Sequence, residues 1–245
     1  MRPSPLFLGL LAVTVAGAVL TLFDDSDPAL IGGTVLFVLG GWAVSLCLHE
    51  FGHAVVAYRG GDHAVRAKGY LTLDIRRYTD PVMSVVLPLV LLAFGGIPLP
   101  GGAVWINHHA LRDKRVESMV SLAGPLSNLV LGAVLSLAVL LFQPPIGLAA
   151  ALSYLALLQV FAFVLNILPI PGLDGWGVIE PYMSYQAQQF GAKARPWAPL
   201  VLFAVLIGLP GIARVFFDLA DAVFQLVGGE PLWAQYGQAT FMFWR

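Results

Sequence analysis

PALIGGTVLFVLGGWAVSLCLHEFGH, residues 28–53, decides the architecture. Positions 28–48 hold no Asp, Glu, Lys, Arg or His, a run of 21 residues. A helix needs about 20 mostly apolar residues to cross a bilayer. His49, Glu50 and His53 then arrive together at the end of that run. The rest of the chain has the same character, with further uncharged runs at 3–23, 81–107, 118–173 and 196–213. The 118–173 run has 56 residues and must hold two spans. Gln143-Pro144-Pro145 divides them, because proline cannot continue a helix. Over 245 residues the chain is 58% hydrophobic and 11% charged, with a mean hydropathy of +0.82. A soluble domain carries about 25% charged residues. Balanced charge, 13 Lys+Arg against 14 Asp+Glu, excludes a nucleic-acid-binding surface. A single cysteine, Cys47, excludes a disulfide framework. The composition defines a multi-pass protein of the lipid bilayer, with the run at 3–23 read as a retained first span rather than a signal peptide.

Basic residues set the expected orientation. Arg59, Arg66, Lys68, Arg76 and Arg77 follow the second span, Arg112, Lys114 and Arg115 precede the third, and Lys193 and Arg195 precede the last. All can be cytoplasmic if 81–107 enters and leaves on one side. Its apolar part, 82–94, is short, and Gly95-Gly96-Ile97-Pro98-Leu99-Pro100-Gly101-Gly102 breaks any helix. The segment reads as a re-entrant helix and hairpin. The alternative, a full crossing, would put Arg112–Arg115 outside. In 65–75, Leu71, Leu73 and Ile75 alternate with Thr72 and Asp74, the period of a strand. A second strand is expected at 103–107. The expected fold is an all-α polytopic membrane protein with five to six transmembrane helices, a re-entrant helix or hairpin and short cytoplasmic β-strands. It forms a single domain over 1–245 with its core at about 31–180.

Ionisable groups within a span are costly and mark function. His49 and His53 stand at i and i+4 on one helical face, so two imidazole nitrogens can meet one zinc ion. Glu50 lies beside them, within reach of a metal-bound water. Catalytic zinc takes three protein ligands and leaves one position open. The leading candidate for the third is Asp174, in Asn166-Ile167-Leu168-Pro169-Ile170-Pro171-Gly172-Leu173-Asp174-Gly175, where prolines and glycines unwind the span. Gly41, Ser45, His49 and His53 recur every four residues, as do Gly124, Asn128, Gly132 and Ser136. Small residues at this spacing allow close helix approach. The two helices are expected to pack together, with Asn128 near the metal or merely bonded to backbone. His108 and His109 read as solvated side chains, with contact to a substrate as the alternative.

His49-Glu50-Phe51-Gly52-His53, Ala123-Gly124-Pro125-Leu126-Ser127-Asn128 and the Asn166–Gly175 stretch, in that order on separate apolar spans, resemble the three signatures of the site-2 proteases, the M50 intramembrane zinc metalloproteases. Gly69-Tyr70-Leu71-Thr72-Leu73 and Asp80-Pro81 resemble the compact prokaryotic branch without PDZ or CBS domains. The resemblance implies one Zn2+ per chain held by His49, His53 and Asp174, with Glu50 as general base. It implies a substrate-orienting or oxyanion role for Asn166. It also implies hydrolysis of peptide bonds in or near the transmembrane segments of other proteins, from a prokaryotic plasma membrane, with the active site near the cytoplasmic side. Trp176 departs from the family pattern, which often has Gly or Ser after the Asp-Gly pair. An extended substrate is expected to add as a strand beside Leu71 and Leu73. Two other readings share the histidines: a membrane metal transporter or sensor, and a catalytically inactive scaffold. A transporter needs further ligands along a path, which the sequence lacks, and a scaffold has no use for Glu50. No nucleic acid partner is expected, and oligomeric state is left open.

Overall fold

A computed structural model describes residues 3–23, 27–78 and 105–245, and every regular element among them is helical. In chain order the α-helices are α1 (Pro5–Phe23), α2 (Asp27–Gly60), α3 (Ala64–Ala67), α4 (Ile75–Tyr78), α5 (Lys114–Phe142), α6 (Ile146–Asn166), α7 (Asp174–Ile179), α8 (Tyr185–Ala194), α9 (Ala198–Gly208), α10 (Pro210–Leu226) and α11 (Pro231–Phe241). Local chemistry sets the ends. Asp113 caps α5 by accepting from the Val116 amide at 2.9 Å. Gln143 ends it in the left-handed region at φ 43°, and Pro144 and Pro145 forbid its continuation. The break predicted inside the 56-residue run is therefore present.

Four described helices, α1, α2, α5 and α6, are long and apolar enough to cross a membrane, and α8 with α9 makes a fifth if that pair, bent by 67°, counts as one. The chain is thus a multi-pass membrane protein. The expectation of five to six spans is corrected to four, or up to five, among the described residues. The run at 196–213 falls short because it is split: Leu209 leaves the helical region and Pro210 starts a new helix. Of the segment read as re-entrant, 81–104 lies outside the described residues.

Backbone contact between helices requires glycine at the crossing points. A Cβ at Gly17 of α1 would stand 2.4 Å from the Phe37 nitrogen of α2, and one at Gly40 would stand 2.6 Å from the Thr14 hydroxyl. These two helices therefore pack at backbone distance, as small-residue seams allow. Helix α6 occupies the centre, with 15 of its 21 residues buried, as a helix apolar on every side must be. Its Tyr154, Leu155 and Leu158 pack with Phe37, Val38 and Trp42 of α2 and with Phe241 of α11. Its Val160, Val164 and Leu165 pack with Phe216 and Phe224 of α10. Val130, Val134, Leu140 and Phe142 of α5 and Leu8, Val13 and Val15 of α1 are exposed, an apolar outer face suited to lipid.

The two small-residue stripes meet only in part. Gly52 of α2 lies against the Ala123 carbonyl of α5, as expected. Farther along, α6 wedges between them: Gly41 faces Leu155, and Gly132 faces Val160 and the Ala156 carbonyl.

The predicted β-strands are absent from the described residues. The 65–75 stretch forms the end of α3, a 3₁₀ turn at Tyr70–Thr72 and the start of α4. With no partner strand among the described residues, the backbone bonds mostly locally, apart from the Ser4 amide, which donates to the Thr72 carbonyl at 2.8 Å. Thr72 donates to the Gly69 carbonyl through both its amide (3.2 Å) and its hydroxyl (2.7 Å), and the Arg77 amide donates to the Asp74 carbonyl at 2.8 Å. Gly69 and Leu73 both adopt positive φ, at 77° and 55°, which no regular strand permits. The alternation of Leu71, Leu73 and Ile75 reflects burial: Leu73 and Ile75 cover Leu46 and Cys47 of α2, and Leu71 is also inside.

Candidate metal centre

Helix α2 continues without a break from the apolar run through His49, Glu50 and His53, so their i, i+4 spacing becomes real geometry. The His49 and His53 Nε2 atoms lie 3.1 Å apart. Asp174 reaches them from the far end of the chain. After Asn166 the helix stops, and Leu168–Leu173 turn back through short bonds such as Ile170 N–H to Leu168 O at 2.8 Å. Gly172 takes φ 94° there. Gly175 lets α7 fold over this turn, since a Cβ would meet the Ile167 carbonyl oxygen at 2.1 Å. The Asp174 carboxylate therefore begins α7 facing α2, with Oδ2 at 3.2 Å from His49 Nε2 and Oδ1 at 3.4 Å from His53 Nε2.

The outer ring nitrogens are engaged. His49 Nδ1 donates to the Asn128 Oδ1 at 2.6 Å, and His53 Nδ1 donates to the Val120 carbonyl at 2.7 Å. A ring whose Nδ1 carries the proton presents a lone pair at Nε2. Two lone pairs and a carboxylate thus converge, all of them acceptors, in a place where both histidines are buried. Such a set repels itself unless a proton or a metal cation lies between. Ligands at ~2.0–2.1 Å on tetrahedral corners stand roughly 3.3 Å apart, the spacing observed here. Gly124 of α5 supplies a second observation: a Cβ there would stand 2.2 Å from His53 Nε2 and 2.6 Å from His49 Nε2. His49, His53 and Asp174 each offer a ligand atom, all within 4.8 Å of one another, and form a cluster able to chelate a metal.

A cavity of about 450 Å³ opens on the cluster, lined by Glu50, Asn166, Ser121, Trp176 and His108 among others. Glu50 and Asn166 are almost fully buried. His108, expected to be solvated, also pairs with Glu117 at 2.7 Å. Leu71 and Leu73 do not line the cavity. Sequence reading missed three contributors. The Val120 carbonyl is backbone and leaves no residue-type signal. Gly124 was legible as a packing residue, but not as room for two imidazoles. Gln159 accepts from Asn128 Nδ2 at 3.0 Å and is wholly buried. Its only trace in the sequence is an amide amid an apolar span.

A glutamate beside a His/His/Asp cluster, inside a bundle of membrane-length helices, defines a membrane-embedded metalloprotease. No family model matches the chain, and no solved structure does. Curated relatives do. Two proteins called "Putative zinc metalloprotease Rip2", from Mycolicibacterium smegmatis and Mycobacterium tuberculosis, are 43% and 44% identical over the whole chain and 95% of their own length. YwhC of Bacillus subtilis, described in the same terms, is 30% identical over 73% of the chain and 83% of its own length. The chain belongs to the site-2 protease family, the M50 intramembrane zinc metalloproteases. It is a zinc metalloendopeptidase.

Proposed function

We propose that His49, His53 and Asp174 hold one zinc ion, that Glu50 and Asn166 carry the catalytic work, and that the substrate is a transmembrane segment of another protein. The observation that carries this reading is the convergence, beside a buried glutamate, of two imidazole nitrogens 3.1 Å apart and a carboxylate whose two oxygens lie 3.2 and 3.4 Å from them. Bound there, zinc would supply a Lewis acid that polarises a carbonyl and brings the pKa of a water near about 7.

Glu50 takes a proton from the attacking water as the new C–O bond forms. It returns that proton to the amide nitrogen as the C–N bond breaks, so the carboxylate is regenerated each cycle. Asn166, at the end of α6, presents its amide to the developing oxyanion. Asn128 orients the His49 ring through the 2.6 Å bond. A helical substrate shields its own peptide bonds, so the segment must unwind before it is cut. Arg59, Arg66, Lys68 and Arg76 all lie beyond His53 in the chain, and this supports a site near the cytoplasmic face of a bacterial cell membrane.

Glu50→Gln separates metal from chemistry. Zinc stays at one per chain and cleavage of a membrane-peptide substrate disappears. Normal cleavage by this variant removes Glu50 from the mechanism.

A further inference from the structure

We propose that Gln159 is a positioning residue for the metal centre, acting on His49 through Asn128. The inference rests on the reading that His49 is a zinc ligand.

Three side chains from three helices form one line of hydrogen bonds. His49 Nδ1 of α2 donates to Asn128 Oδ1 of α5 at 2.6 Å, and Asn128 Nδ2 donates to Gln159 Oε1 of α6 at 3.0 Å. Asn128, at the cavity wall, is 4% exposed and Gln159 is 0% exposed, so Gln159 is shut off from solvent. The line has a direction. A histidine that ligates through Nε2 carries its proton on Nδ1 and needs an acceptor there. Asn128 meets that need with its oxygen, which turns its NH2 group away from His49. That NH2 group is then buried and needs an acceptor of its own, and Gln159 Oε1 is its recorded partner.

Without Gln159, the arrangement that favours the ligating tautomer leaves a buried donor unsatisfied. The overturned amide would instead present N–H to His49 Nδ1, drive the proton to Nε2 and block ligation. The far end of the line confirms where its direction is set. Gln159 Nε2 has no partner among the described residues. The reverse direction would leave a carbonyl oxygen unsatisfied instead, and buried orphan carbonyls are less rare than orphan N–H groups. The direction is the one that the ligating tautomer of His49 requires, and Gln159 transmits the support.

The test is zinc affinity, measured by chelator competition on the purified full-length protein. Gln159→Met keeps the length and apolar packing of the side chain and removes the acceptor. It should weaken zinc binding by about 10–100-fold, the usual effect of altering support behind a ligand, while the metal-free protein still folds, with a melting temperature lowered by the unsatisfied Asn128 amide. Gln159→Glu keeps an oxygen acceptor and should retain the affinity of the unaltered protein. A residue needed only for packing would suffer from the buried charge instead. In an Asn128→Ala background, Gln159→Met should have no further effect. The proposal is overturned if Gln159→Met binds zinc normally, if Gln159→Glu is as weak as the Met variant, or if the Met change costs the same factor without Asn128. Should the Met variant not fold, Gln159→Glu decides alone: retained affinity supports the proposal, and weakened affinity overturns it. Failure of the metal reading itself would look different, with zinc absent from the unaltered protein or unaffected by His49→Ala.

Discussion

Gly124→Ala adds one methyl group to α5 and should empty the metal centre. Within a helix, alanine is favoured over glycine by ~0.8–1.0 kcal/mol, so a glycine here works against the local structure. The reason lies across the interface. The added Cβ would sit 2.2 Å from His53 Nε2, 2.6 Å from His49 Nε2 and 2.6 Å from His53 Cε1. Carbon makes comfortable contact at about 3.5–4.0 Å, so the rings must retreat by roughly 1 Å. A metal site tolerates ligand errors of only about 0.2 Å. Neither ring can retreat freely, since His49 is tied to Asn128 and His53 to the Val120 carbonyl. The three donors then no longer meet, and zinc affinity should fall more than about 100-fold, beyond the usual effect of a supporting residue. The assay is zinc stoichiometry by atomic absorption after equilibration with a competing chelator, followed by cleavage of a membrane peptide. Gly9→Ala is the control, because Gly9 has nothing within 4 Å of the added atom. If Gly124→Ala holds one zinc per chain and cleaves normally, the argument that this glycine makes room for the metal is refuted.

Other outcomes are open to measurement. Asn166→Ala should lower kcat by about 10²–10³, as loss of an oxyanion donor does, with zinc stoichiometry unchanged; an unaltered kcat would assign Asn166 to packing. Removing zinc with a chelator should stop cleavage and adding it back should restore cleavage, whereas activity in zinc-free protein would contradict the metal assignment. The Arg76 side chain, which bonds both Asp74 oxygens at 2.9 and 2.7 Å, holds the Asp74 carboxyl below the usual carboxylate range. A depressed folded-state pKa stabilises above the unfolded value of about 3.9 and is lost as pH falls through the folded value. Protection of the amides across 69–78 from hydrogen exchange, corrected for the intrinsic pH dependence of the rate, should therefore fall only below about pH 4, and Arg76→Ala should flatten that dependence.

Sequence alone determined the membrane-spanning character, the division at Gln143-Pro144-Pro145 and the placing of His49 and His53 on one helical face. These follow from run length, from proline chemistry and from the i, i+4 spacing of His49 and His53, all local properties that one chain segment carries by itself. The expected strands failed for the complementary reason. Alternation shows which side chains seek burial, yet a strand also needs a partner edge. The 65–75 stretch finds α2 instead, and its backbone bonds are mostly local, with the Thr72 carbonyl accepting from the Ser4 amide. Likewise, the stripes on α2 and α5 showed that close approach was intended, but not that α6 would enter between them. Tertiary structure decided how Asp174 meets two histidines more than 120 positions earlier in the chain. It also decided that Gly124 leaves space rather than merely packs, and that Gln159 stands behind Asn128. Each of these depends on atoms from different helices arriving within a few tenths of an ångström, and residue type and spacing along a single helix do not encode that distance.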